Sequence, residues 1–198
     1  MHGSGGAAAA LPGSVRLRWL VIIVTVMALL TAGWPLLSRI VADHHRLAAR
    51  SKLVLGPSHK NSAIVTVGPG WQLRPGETNP RLIYRLQRGQ ARMTIAYATL
   101  LNNRQVDDLW AGMQEVVQVR QPGAALSRPV RIRSVHGSTG DFGLVRGPNL
   151  EGTAAVFAGP SRRFAIEMMI VAPKRSARAN LIAAQRIMRS VLFPAAAR

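Results

Sequence analysis

Two places in the chain bring together residue types that do chemistry. In His136-Gly137-Ser138-Thr139-Gly140 an imidazole stands two residues before a hydroxyl, a pairing that acyl transfer uses when the ring takes the nucleophile's proton. A nucleophile elbow needs Gly-x-Ser-x-Gly, and His136 occupies the place of the first glycine. The segment reads first as a glycine-rich hairpin loop, and a hydrolase using Ser138 and His136 stands as a third reading of the chain. Asp107, Asp108 and Glu115 form the densest carboxylate group. Adjacent aspartates on a helix diverge by about 100°, which suits a helix start better than a paired acid and base.

Other chemistries drop out by residue type. The chain has no cysteine, so disulfides, thiolate nucleophiles and Cys-ligated metals are excluded. His44 and His45 are neighbours, whereas zinc on a helix is gripped by histidines at i and i+4. Asp141-Phe142-Gly143 matches a kinase tripeptide, but no glycine-rich phosphate loop or catalytic Asp loop accompanies it. No catalytic residue, cofactor or metal is expected.

What remains is arginine. The formal charge of +18 comes from 26 basic and 8 acidic residues, and only Lys52, Lys60 and Lys174 among the basic ones are lysine. Residues 1–60 hold seven basic residues and one acidic; the other nineteen and seven lie in 61–198, so the folded part is itself basic. Such a domain is drawn to anionic lipid, an acidic polymer or nucleic acid, according to its compartment. If Leu82, Tyr84, Met93, Ile95, Val130 and Ile132 face a core, alternation puts Arg85, Arg92, Arg131 and Arg133 on the opposite face, with Glu167 as one counter-charge. A second basic candidate is Lys174, Arg175 and Arg178. Solvated arginines or ion pairs beside a covering helix are the plain alternative.

The elements that must position these residues follow from periodicity. Leu82, Tyr84 and Leu86 alternate with Ile83, Arg85 and Gln87, and Ala91, Met93, Ile95 and Tyr97 with Arg92, Thr94 and Ala96, around Arg88-Gly89-Gln90, which predicts a β-hairpin over 81–100. An earlier strand is expected over 63–67. Val106, Leu109, Trp110, Met113 and Val117 share a helical face, predicting a helix over 104–119 that stops before Pro122-Gly123. Four strands are expected near 129–136, 141–147, 151–158 and 163–172, the last with Phe164, Ile166, Met168 and Ile170 on one face. A final helix begins at Ser176 and carries Ala177, Leu181, Ala184, Met188 and Val191 up to Pro194. The fold class is α+β, an antiparallel sheet of about six or seven strands flanked by helices and preceded by one transmembrane helix.

That transmembrane helix is expected over 19–37. Trp19 to Ser38 contains no charge, and twenty helical residues reach about 30 Å, the thickness of a hydrocarbon core. Trp19 and Trp34 lie near its two ends, where indoles anchor at the interface. The run is longer than the apolar core of a signal peptide, so retention is favoured over cleavage. Residues 1–18 are expected as a disordered tail, 38–60 as a juxtamembrane linker with Ile40 to Leu55 able to continue helically, 61–194 as the domain and 195–198 as a tail. Arg16 and Arg18 precede the span, but Arg39, Arg46, Arg50 and Lys52 follow it. That count opposes an outside domain, while the translocation of long C-terminal domains largely regardless of charge favours one. The expected placement is a single pass in the cell membrane, N-terminus in the cytoplasm and domain outside.

The order of strands, hairpin, helix, meander and helix, with Gly70-Trp71 after the first strand and the run Ile187-Met188-Arg189-Ser190-Val191-Leu192-Phe193 at the end, resembles PsbP-like domains over residues 61–194. The resemblance implies an antiparallel sheet between helices and a mainly non-enzymatic binding role. The expected function is a non-catalytic extracytoplasmic domain that binds an envelope protein or anionic surface, held to membrane lipid by its N-terminal helix. The alternative is a membrane-tethered cytoplasmic nucleic-acid binder, which outside placement would eliminate.

Overall fold

The computed structural model describes residues 45–100 and 106–194. The expected tail 1–18, the span 19–37 with Trp19 and Trp34, the start of the linker and the tail 195–198 lie outside the described residues. Among the described residues no helix is long and apolar enough to cross a membrane.

Eleven strands form, β1 (His45–Arg46), β2 (Ser51–Ser58), β3 (Asn61–Val67), β4 (Gln72–Leu73), β5 (Ile83–Arg88), β6 (Ala91–Thr99), β7 (Ala125–Leu126), β8 (Val130–Arg133), β9 (Thr139–Arg146), β10 (Leu150–Ala158) and β11 (Phe164–Pro173), with helices α1 (Val106–Arg120) and α2 (Ala177–Met188). Nine strands make one antiparallel sheet in the order β1-β4-β5-β6-β11-β10-β9-β7, with β8 also paired to β9, and β2 and β3 form a separate hairpin. The sheet exceeds the expected six or seven strands because β1, β4 and β7 are two residues long, too short to show any period.

The linker expectation differs most from the structure. Ser51–Ser58 is a strand paired with β3, and Leu53 and Leu55 are buried in the main core. The alternation of Lys52, Val54 with Leu53, Leu55 is a strand's period, and Gly56-Pro57 is the bulge of a hairpin rather than the stop of a helix. Gly56 has φ +108, and a Cβ there would strike the carbonyl oxygen of Asn61, so glycine alone fits the bend.

Two cores sit on the two faces of the sheet. On one, α2 and the β2–β3 hairpin cover Leu86, Met93, Ile95, Phe157, Ile166, Met168 and Ile170. The terminal run joins this layer: Ile64 and Leu192 exchange backbone hydrogen bonds of 2.8 and 2.9 Å, and Ile187, Met188, Val191 and Phe193 are buried. On the other face Trp110, Met113 and Val117 of α1 pack on Leu126, Val145, Ala154, Val156 and Ala165. Gly143 is what lets α1 approach, since a Cβ there would lie 2.6 Å from Cζ2 of Trp110; this accounts for the glycine of Asp141-Phe142-Gly143. Leu82 and Val130, expected in the core, are 48% and 60% exposed. Leu82 falls in the turn before β5, and Val130 lies on β8, beyond the covering layer.

Candidate binding groove

The register places the chemistry-bearing side chains in rows. On the α1 face one row runs Ile83, Ala96, Glu167, Val156, Asp141, Arg131 across β5, β6, β11, β10, β9 and β8. The next runs Arg85, Thr94, Met169, Ala154, Gly143. Trp110 and its neighbours hold α1 over the β9–β10 end. The β5–β6–β11 end of the same face is left as a groove along the helix.

This groove has a volume of about 360 Å³, within the range of natural binding clefts. Its floor is Ile83, Thr94, Ala96, Glu167 and Met169, and its wall is Leu109, Gly112, Met113 and Val116 of α1, with Asp108 and Arg120 along the rim. Leu109, Gly112, Val116 and Arg120 recur at helical spacing, so α1 has two working faces, one in the core and one on the groove. Val116 is 43% exposed, and a Cβ at Gly112 would meet nothing within 4 Å. In the floor, burial pushes the Glu167 carboxyl above its ordinary pKa, because a carboxylate loses hydration there.

The four sheet arginines divide between two sites. Arg85 donates from Nη1 to the Thr94 hydroxyl at 3.0 Å and Arg92 lies exposed on β6, both beside the groove. Arg131 and Arg133 are on β8, four strand spacings from β6, or roughly 19 Å. The counter-charge on that side is Asp141, 3.3 Å from Arg131, while Arg133 donates from Nε to the carbonyl of Gly137. Lys174, Arg175 and Arg178 are exposed around the start of α2, where positive charge is not favoured by the helix dipole.

The other chemical candidates are accounted for by local structure. Ser134 Oγ accepts from the amides of His136 and Ser138, at 3.2 and 3.0 Å, which closes the β8–β9 turn. No hydrogen bond among the described residues joins the His136 ring to the Ser138 hydroxyl. Ser176 caps α2 by position, but its hydroxyl donates to the carbonyl of Pro173. Among the described residues no group of three or more His, Cys, Asp or Glu could hold a metal.

The groove was not foreseen from sequence because its residues come from four elements spread over positions 83–169. Three signals point to it in retrospect: a glycine within a helix, apolar Val116 off the core stripe, and Met169 alternating with the buried Met168.

No protein-family model matches the chain, and no curated protein matches its sequence. Among solved structures, cyanobacterial PsbP (CyanoP) from Synechocystis is similar over 74% of this chain and 95% of its own, at 10% identity and a TM-score of 0.52. The Ran-binding protein Mog1p of Saccharomyces cerevisiae is similar over 74% of this chain and 97% of its own, at 10% identity and a TM-score of 0.48. A likeness at such low identity speaks to fold and not to function. The described domain therefore bears a distant likeness to the PsbP-like fold, an antiparallel α+β sheet flanked by two helices.

Proposed function

We propose that this protein is a membrane-tethered, non-catalytic binding domain, standing outside the cytoplasm, which takes a segment of an envelope protein into the groove beside α1. The observation that carries the reading is the half-covered sheet face: Ile83, Leu109, Val116 and Met169 offer apolar surface in an open cleft. Burial of two or three apolar side chains there stabilises a complex by about 1.5–3 kcal/mol each. Arg85, Arg92 and Arg120 around the cleft, in a domain with a large basic excess, fit acidic residues flanking those apolar ones.

A photo-crosslinking residue at Val116 of the full chain in its own membrane tests this. The crosslinked segment, sequenced by mass spectrometry, should be apolar with acidic neighbours, and a crosslinker at Arg133 on β8 should not capture it. Capture from Arg133 instead, with loss on Arg131→Glu and Arg133→Glu, would move the binding surface to the β8 edge and overturn the groove assignment. Steeply salt-dependent capture of nucleic acid would overturn the placement outside the cytoplasm.

A further inference from the structure

A second cleft, on the α2 side of the molecule, has the donors of an anion site. It has a volume of about 290 Å³ and is lined by Arg50, Arg88 and Arg186 together with Thr66, Trp71 and Ser190. The three arginines reach it from segments far apart in sequence: the turn after β1, the end of β5 and the last turn of α2. Arg50 sits at φ +65, a left-handed conformation that arginine rarely adopts. Gly70, at φ +84, supplies the left-handed turn beside the Arg88 side chain, whose Nε would be in ordinary contact, 3.5 Å, with a Cβ at that position.

No carboxylate lines this cleft, and the ion pairs among the described residues join Arg74 to Glu77 and Arg131 to Asp141. Three guanidinium groups thus share one cleft without a counter-charge. Trp71, only 1% exposed, also lines it, and its buried Nε1–H has no acceptor. A buried donor left without a partner costs about 1–3 kcal/mol, and like charges gathered in a cleft repel one another. An oxyanion relieves the repulsion. It also brings acceptor oxygens into a cleft lined by Trp71, whose indole N–H lacks one.

We infer that the Arg50–Arg88–Arg186 cleft binds a phosphate-class oxyanion. Guanidinium forks match the paired oxygens of phosphate, and a cleft open to solvent admits either a free phosphate or a lipid headgroup phosphate. The site is separate from the groove, on the opposite face of the sheet, and does not depend on the reading given to it.

The test uses the full chain in micelles of a neutral maltoside detergent, with the tryptophan indole N–H resonances as readout, Trp71 being assigned by Trp71→Phe. Inorganic phosphate is added in one arm and phosphatidylglycerol in the other. A saturable shift of the Trp71 signal is expected in at least one arm. It should weaken tenfold or more in Arg88→Gln, Arg186→Gln and Arg50→Asn, and stay unchanged in Arg163→Gln, which removes the same charge from an exposed residue outside either cleft. An unshifted Trp110 signal reports that each variant is folded. Response to phosphate assigns a soluble anion, and response to phosphatidylglycerol alone assigns a headgroup. No saturable shift in either arm, or equal weakening in Arg163→Gln, overturns the inference.

Discussion

At the scale of single residues, the two glycines near α1 make opposite statements. Gly143 is a contact point for Trp110, so Gly143→Ala forces side chain or helix to move and should cost about 1–3 kcal/mol in urea denaturation. Gly112 faces open space with no positive φ, so Gly112→Ala removes only backbone freedom from the unfolded chain and should stabilise by about 0.5–1 kcal/mol. Natural retention of a destabilising glycine is what an open groove wall would require. Glu167 carries the pH dependence. Its folded-state pKa is raised by burial, so between the ordinary glutamate range and that raised value the native state holds a proton the unfolded state has released. Stability therefore falls as pH rises through this window. Glu167→Gln, always neutral, should match the wild type below the ordinary glutamate range and melt at higher temperature at neutral pH. Single residues were legible where chemistry is local: His136-Gly137-Ser138, read as part of a hairpin loop, lies in the β8–β9 turn, although the Ser134 hydroxyl that closes it was not foreseen. The partner of Arg131 was not, because Asp141 meets it only through the β8–β9 register.

At the scale of elements, the sequence spoke clearly where a period ran for six residues or more. The 81–100 hairpin appears as β5 and β6, the last three strands of the meander as β9, β10 and β11, and the first helix as α1; the final helix starts where its stripe puts it but ends at Met188, short of Pro194, because Leu192 turns to pair with Ile64 of β3. The β2 strand shows why the remainder was obscure. Its alternation spans only Lys52 to Leu55 before Gly56-Pro57, so a helix stop and a hairpin bulge predict the same two residues. The two assignments separate energetically. Leu55 is fully buried, and Leu55→Ala should cost about 2–5 kcal/mol, whereas the same change in an exposed linker stays within about 0.5 kcal/mol. Thermal or urea unfolding decides between them. The groove was illegible for a related reason: helical periodicity reports which residues share a face, but not that a helix covers only half of its sheet.

At the scale of the whole molecule, one sheet separates two basic regions with different neighbours, the groove rim beside α1 and the arginine cleft beside α2. The tether and its direction belong to the proposal, and a C-terminal reporter fusion checks them. A periplasmically active alkaline phosphatase should work there, and a fluorescent protein that matures only in the cytoplasm should stay dark; the reverse result places the domain inside. The central claim is that the groove beside α1 binds a protein segment. Its most direct measurement is the affinity of the full chain, in neutral micelles, for a synthetic peptide with the sequence crosslinked from Val116. Gly112→Trp fills the groove from a position where a side chain meets open space, so the fold should persist and the affinity should fall at least tenfold. Unchanged affinity in folded Gly112→Trp protein would contradict the account.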